Sequence, residues 1–299
     1  MSVDVRGATG VGIVEARRPS RARAAVRGAY IIWYRDLLRW WRDRQRIIPS
    51  LFQPILYLFV FGVGLGSAIG MGMSGGRAGA APGGVDYTTF MYPGVLAMSV
   101  LFTAIFSSMS IVWDREFGFL KEIQVAPIPR TAVAVGKALG GSTVAMLQSA
   151  VLLLLAPVVG VAVSPGMVLA MLVLMFLLAF ALAALGVAIA SRMRTMEGFQ
   201  VVMNFVLMPL LFLSGAFFPL QGLPGWLAVL THLDPVAYAV DAMRRVVLSA
   251  TAAPPEVLRA LAITDPSGAP LPILAEVAIL LAFIAVGLTL AVRWFGATE

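Results

Sequence analysis

The side chains able to do acid–base or nucleophilic chemistry are few in this chain, and they stand apart from one another. Its 299 residues hold one histidine, His232, and no cysteine. That removes thiol nucleophiles, disulfides and Cys/His metal sites together. His232 lies two residues from Asp234, but the pair has no identifiable nucleophile, and a lone histidine of this kind caps or lines an interface far more often than it acts as a base. Glu276 sits a few residues into a long apolar run, where it either contacts a passing solute or accepts a hydrogen bond from a neighbouring helix. Gly136-Lys137-Ala138 is the nearest approach to the phosphate-cradling loop G-x-x-x-x-G-K-[S/T]; it lacks the first glycine and has alanine where the metal-binding hydroxyl belongs. The expectation is a non-catalytic chain with no metal or cofactor of its own, worked by a partner that supplies the energy.

The elements that must carry these residues are membrane helices. The chain is 60% hydrophobic and 12% charged, with a mean hydropathy of +0.91, whereas soluble domains are about 45–50% apolar and about 25% charged. Most of it must therefore be solvated by lipid. Six runs are long enough for a bilayer core of about 30 Å: residues 47–69, 88–113, 133–163, 167–190, 199–220 and 271–292. The third is overlong and predicts an interfacial start or a tilt. Eighteen of the 22 basic residues fall on one side of these spans, and Arg77, Arg244, Arg245 and Arg259 on the other. Positive residues favour the cytoplasm, so both termini are expected inside a bacterial inner membrane. The net charge of +7 then reflects orientation rather than nucleic-acid binding. Arg17 and Arg18 form a twin-arginine pair, but no apolar stretch follows closely enough for an export signal. Residues 1–28 read as a disordered basic tail, and no internal repeat of the kind common in ion-coupled carriers is evident.

Two polar elements stand at the inner face. In residues 29–46, Tyr30, Trp33, Tyr34, Leu37, Leu38 and Trp41 share one helical face while Arg35, Arg39, Arg42 and Arg46 line another. That pattern predicts an amphipathic elbow helix in the headgroup layer, with Pro49 turning the chain into the first span. Between spans two and three, Phe117, Leu120 and Gln124 form a stripe. Asp114 and Glu116 suit a helix N-terminus, and Pro127 and Pro129 a helix end. A short helix held by two spans over residues 114–124 would act as a lever for a partner that grips it.

The runs Asp114-Arg-Glu-Phe-Gly118-Phe-Leu-Lys121, Ala126-Pro-Ile-Pro-Arg130 and Gly136-Lys137-Ala-Leu-Gly-Gly141 resemble the region after the second span of type 2 ABC exporter permeases. The likeness is greatest to the daunorubicin-resistance and nodulation-factor exporter group. Phe212-Leu-Ser-Gly-Ala-Phe-Phe-Pro219, Pro224 and the run from Leu233 to Arg245 look like that group's fifth span and the segment after it. The resemblance implies an all-α, six-span permease domain over residues 47–299. It also implies a pairing with an identical or homologous permease on two cytosolic ABC ATPase subunits that bind Mg-ATP. Residues 114–124 would then be the coupling helix, with Asp114, Glu116, Phe117, Gly118, Leu120 and Lys121 as ATPase contacts and Pro127 and Arg130 shaping the entry to the third span.

A transport path and a seam follow as further expectations. Phe102, Phe106, Phe205, Met208 and Phe212 suit a cleft for an apolar or amphipathic molecule, and equally suit packing against lipid. Gly62, Gly66 and Gly70 repeat every four residues, spacing that lets helices approach closely, and Ser214 and Gly215 give the fifth span a thin, bendable stretch. These are expected at the permease–permease seam or in a groove within one chain. Residues 220–270 form no polar domain. Asp234-Pro235 predicts a helix opening towards Leu248, with Val236, Val240, Met243 and Val247 on one stripe, dipping into the outer leaflet as a re-entrant segment. Arg244 and Arg245 there would meet an anionic headgroup or solvent. Three cargo or mechanism classes stay open: export of a drug-like molecule or lipid, as in multidrug export and antibiotic resistance; export of a glycolipid, polysaccharide or cell-wall lipid; and an ion-coupled carrier. An embedded enzyme is disfavoured by the scarcity of catalytic side chains.

Overall fold

Long runs of Leu, Ala, Val and Met in a medium without water must satisfy every backbone group internally, which makes them helices. The computed structural model describes residues 21–65, 80–81, 85–116, 129–220, 223–251, 253–264 and 268–296. Its helices are α1 Arg21–Arg42, α2 Arg44–Phe59 (continued by a π-turn, Val60–Leu65), α3 Tyr87–Ser107, α4 Met109–Glu116, α5 Arg130–Leu153, α6 Pro165–Arg192, α7 Met196–Leu213, α8 Gly225–His232, α9 Pro235–Ala250, α10 Pro255–Leu261 and α11 Ile273–Gly296. A small antiparallel ladder pairs β1, Ala80–Ala81, with β2, Val85–Asp86. The protein is otherwise all-α.

Among the described residues, four stretches are long and apolar enough to cross a bilayer: α3 running on into α4, α6, α7 and α11. Residues 44–65 and α5 carry the remaining apolar runs, the latter interrupted by Lys137 and Gln148. Helix α6 is the centre of the bundle, packed by α3, α5, α9 and α11. Its start is set by Ser164, whose hydroxyl accepts from Met167 N, with Pro165 at the first helical position. Helix α3 is buried almost throughout its first fifteen residues; Tyr92, in its middle, donates to the carbonyls of Leu152 and Leu153 at the end of α5, 3.1 Å each.

Several predicted boundaries need correction. Helix α1 begins at Arg21, so residues 21–28 of the expected tail are helical; Ala24 and Ala25 favour the helix, and Gly28 is buried. The elbow breaks at Asp43 rather than at Pro49, which lies inside α2, so Arg44 belongs to α2. The third apolar run stops being helical at Leu153, because Pro157 and Gly160 (φ +76°) turn the chain through a 3₁₀ segment, Ala156–Val159. The fifth helix ends at Leu213, seven residues early, at Gly215 with φ +68°. Residues 214–220 then fold back onto α3: a Cβ on Gly94 would lie 2.3 Å from the Ala216 carbonyl oxygen, so only glycine admits that contact. Tyr87 also donates to the Phe217 carbonyl there, 2.9 Å.

Candidate functional site

Gly136 and Gly140 are one turn apart on α5, and small residues at that spacing let two helix backbones approach closely. A Cβ on Gly136 would stand 2.8 Å from the Ala29 carbonyl oxygen, and one on Gly140 3.1 Å from the Asp36 Cβ. Helix α1 is seated in this groove by Ile32, Trp33 and Asp36, and Trp33 Nε1 donates to Thr143 Oγ1 at 3.0 Å. The elbow's buried face is therefore turned from the predicted aromatic face; Tyr30, Tyr34 and Trp41 are exposed. The small residues at this contact are the glycines of α5, so α1 can seat Ile32, Trp33 and Asp36 there while Tyr30, Tyr34 and Trp41 face outward.

The close approach delivers Asp36 to Lys137. Lys137 is buried, with 3% of its side chain exposed; its ammonium donates to Ser110 Oγ at 2.8 Å, and both oxygens of Asp36 lie 3.4 Å from it. Asp114 Oδ2 is 3.6 Å from the ammonium and 3.7 Å from Arg35, which is also 3.6 Å from Asp36. Two cations and two carboxylates from α1, α4 and α5 thus close a neutral cluster. Burying Lys137 alone would be costly, and the two carboxylates beside it offset its charge while half-exposed Arg35 brings the cluster to neutrality. Asp114 is accordingly buried, at the end of α4 rather than at a helix start. A carboxylate there opposes the helix dipole, and Lys137 and Arg35 offset it.

The next two residues hold a different corner. Arg115 Nη1 donates to the carbonyls of Ser191 and Met193 at 2.8 and 2.7 Å, where α6 ends. Glu116 Oε2 accepts from Met196 N, the first residue of α7, at 3.1 Å. A guanidinium at a helix C-terminus and a carboxylate at the next helix's N-terminus both complement the helix dipoles. Arg130 opens α5 and is exposed; Phe117, Gly118, Leu120, Lys121 and Pro127 lie outside the described residues. Sequence reasoning missed Arg35, Asp36, Ser110, Arg115 and the role of Lys137. The available signal was the Gly136–Gly140 spacing beside an isolated lysine in an apolar run.

Of the proposed path, Phe102 and Phe106 stack on α3 with ring centroids 6.5 Å apart and are half-buried. Phe205, Met208 and Phe212 project outward from α7, Phe205 being 82% exposed. Of the seam residues, Gly62 is buried against Thr88 of the same chain, Ser214 donates to the Leu211 carbonyl, and Gly215 is covered by Leu220; Gly66 and Gly70 lie outside the described residues. The small residues that are described are thus taken up inside the chain, while large apolar side chains of α7 and of α2 (Ile48, Phe52, Leu56, Phe59) stay exposed.

At the opposite end, α9 forms as expected, capped by Asp234, which accepts from Val236 N at 2.8 Å. Burial pushes the Asp234 carboxyl up to about 8, against the pull of that hydrogen bond. The stripe Val236, Val240, Met243 and Val247 is buried against the bundle. Arg244 is buried and Arg245 nearly so, and both are held by groups of the chain itself rather than standing free at the surface. Arg244 lies over the Phe90 ring at 4.1 Å and donates to the Phe90 and Gly215 carbonyls. Arg245 pairs with Asp241 at 3.0 Å and with Glu276, and Asp241 also accepts from Ile263 N at 3.0 Å. Glu276 thus takes a hydrogen bond from a neighbouring helix. His232 is exposed beside Tyr238 and lines a surface.

An apolar helix bundle with a docked basic elbow and internally paired charges describes a polytopic membrane protein, and comparison with known proteins gives the family. Residues 28–248 match the ABC-2 type transporter family, and the chain belongs to it. It is 29% identical over 219 residues to the inner membrane transport permease YadH of Escherichia coli K12, covering 71% of this chain and 80% of that protein. It is 26% identical over 225 residues to nodulation protein J of Sinorhizobium fredii, covering 73% and 80%. A Cyanophora paradoxa protein described as a transport permease, ycf38, is 28% identical over 200 residues, 66% of each chain, so the match spans just under two thirds of that relative. The protein is a multi-pass inner-membrane permease of the ABC transporter class.

Proposed function

We propose that the chain is the non-catalytic membrane subunit of an ATP-driven exporter for a hydrophobic or amphipathic drug-like molecule or lipid. Six spans, formed by residues 44–65, α3–α4, α5, α6, α7 and α11, leave both termini in the cytosol. Two cytosolic ATPase subunits with bound Mg-ATP grip the part of residues 114–124 beyond Glu116, since Asp114, Arg115 and Glu116 are engaged within the chain, and a second permease, identical or homologous, meets the exposed faces of α2 and α7. The observation that carries this reading is the anchorage of the chain just before residue 117. Asp114, Arg115 and Glu116 tie it to α1, α5 and the α6–α7 corner, so a force applied beyond Glu116 enters the bundle through these contacts. Family membership and the absence of a phosphate-binding loop in this chain support a separate ATPase. A glycolipid, polysaccharide or cell-wall lipid cargo is the second reading.

The test is to purify the tagged chain from its native membrane, identify the ATPase that accompanies it, and reconstitute the complex. ATP-dependent doxorubicin uptake into inverted vesicles is expected for the drug or lipid reading. ATP-dependent movement of a labelled glycolipid with no response to doxorubicin would favour the second. Transport by the chain alone on an ion gradient would refute both.

A further inference from the structure

Arg115 and Glu116 are consecutive, yet they hold opposite sides of one corner. The guanidinium occupies two carbonyls at the end of α6, at 2.8 and 2.7 Å, and the carboxylate holds the first N–H of α7, at 3.1 Å. Between these contacts the chain has only Arg194 and Thr195, so the corner is short and its geometry is set from both sides. Thr195 caps α7 through Gly198 N and leaves Met196 N to Glu116. Helix α7 is held loosely elsewhere. It meets α3, α4 and α9 through a narrow buried stripe of Phe199, Met203, Leu207 and Leu211, while Val201, Phe205, Met208 and Phe212 are exposed. Helices α3, α5 and α6, by contrast, are buried along most of their length. A helix with few buried contacts follows whatever holds its end.

We infer that Arg115 and Glu116 are positioning residues that clamp the α6–α7 corner, so that motion of the segment after α4 is delivered to α7 before any other helix. This rests on the exporter reading above. It adds to that reading a route: the working stroke enters the bundle through the start of α7, whose exposed face is the one proposed to meet the second permease. The α1–α4–α5 charge cluster is then the fixed mount against which α7 moves.

Backbone chemistry allows a clean test. Thr195 has φ −124° and ψ 151°, the extended geometry required before proline, and Met196 is the first helical residue, where proline is tolerated. Met196→Pro therefore deletes the N–H that Glu116 holds without altering Glu116 itself. Met196→Ala loses the same side-chain packing and keeps the N–H. Because the chain has no cysteine, nitroxides at Val201→Cys on α7 and Leu281→Cys on α11 label only those sites within it, and the complex carrying the unmutated chain, labelled in parallel, gives the background from its partners. Their separation is measured by pulsed EPR in the complex with its co-purifying ATPase, with and without ADP–vanadate and Mg²⁺.

The unmutated complex and Met196→Ala should shift with nucleotide. In Met196→Pro the ratio of shifted to unshifted population should fall about tenfold, at a thermal midpoint matching Met196→Ala. Arg115→Gln should fall at least as far, and Arg115→Lys should recover part of the response. Full nucleotide shifts in both Met196→Pro and Arg115→Gln would overturn the clamp. No shift in the unmutated complex would instead sink the exporter reading, and the clamp with it.

Discussion

Replacing Lys137 by methionine probes the mount directly. The side chains are similar in length, so packing in α5 is retained while the ammonium is lost. The cluster then holds Arg35 against Asp36 and Asp114, and its charge falls from zero to −1. At separations of 3.4 to 3.6 Å each lost attraction is worth about 5 kcal/mol at an effective dielectric constant of about 20. Much of that is offset because methionine needs no desolvation, and Asp36 and Asp114 keep 15% and 12% side-chain exposure as well as Arg35. Breaking a buried pair from one side typically costs about 3–5 kcal/mol; with this residual solvation we expect about 3 kcal/mol. For a chain of this size, with an unfolding entropy of about 2.1 cal/mol/K per residue, that lowers the midpoint by roughly 5 °C. Thermal unfolding in detergent, followed by tryptophan fluorescence or loss of the monodisperse peak, measures it. Adding Asp114→Asn restores neutrality, so the double variant should lose less than the two singles together, by about 1–3 kcal/mol. A Lys137→Met protein as stable as the parent, or strictly additive losses, would refute the cluster as an electrostatic unit.

Three further outcomes follow from other parts of the bundle. Gly94→Ala places a methyl group against the Ala216 carbonyl and should cost about 3 kcal/mol, read as a lower midpoint and faster chymotrypsin cleavage after Phe217; unchanged cleavage would mean that this segment does not rest on α3. Arg245→Met leaves Asp241 and Glu276 facing each other in the bundle and should reduce folded yield sharply, and adding Glu276→Gln should recover much of it; no recovery would refute the triad. Asp234 has a folded-state carboxyl raised above its unfolded value. The unfolded chain therefore releases its proton first, and stability is lost as pH rises from about 4 to about 8. The midpoint difference between the parent and Asp234→Asn should move in favour of the variant across that window, and a pH-independent difference would contradict it.

Composition and periodicity alone determined the membrane environment, the apolar runs, the helix from Asp234-Pro235 and its buried stripe. These are local properties: hydropathy, a proline at the first turn and a capping carboxylate act on neighbours a few residues away. The likeness around Asp114, Gly136 and Leu233 also led to the correct family. What tertiary structure decided is which charges meet. Asp36, Asp114 and Lys137 are up to 101 residues apart and are joined only because two glycines let α1 sink onto α5. Arg244 and Arg245 read as headgroup anchors because a sequence does not show that α9 packs inside the bundle. Glu116 read as a helix-start residue and ATPase contact, and Arg115 had no assigned role, since their partners are backbone groups at helix ends, and backbone groups leave no trace in residue type.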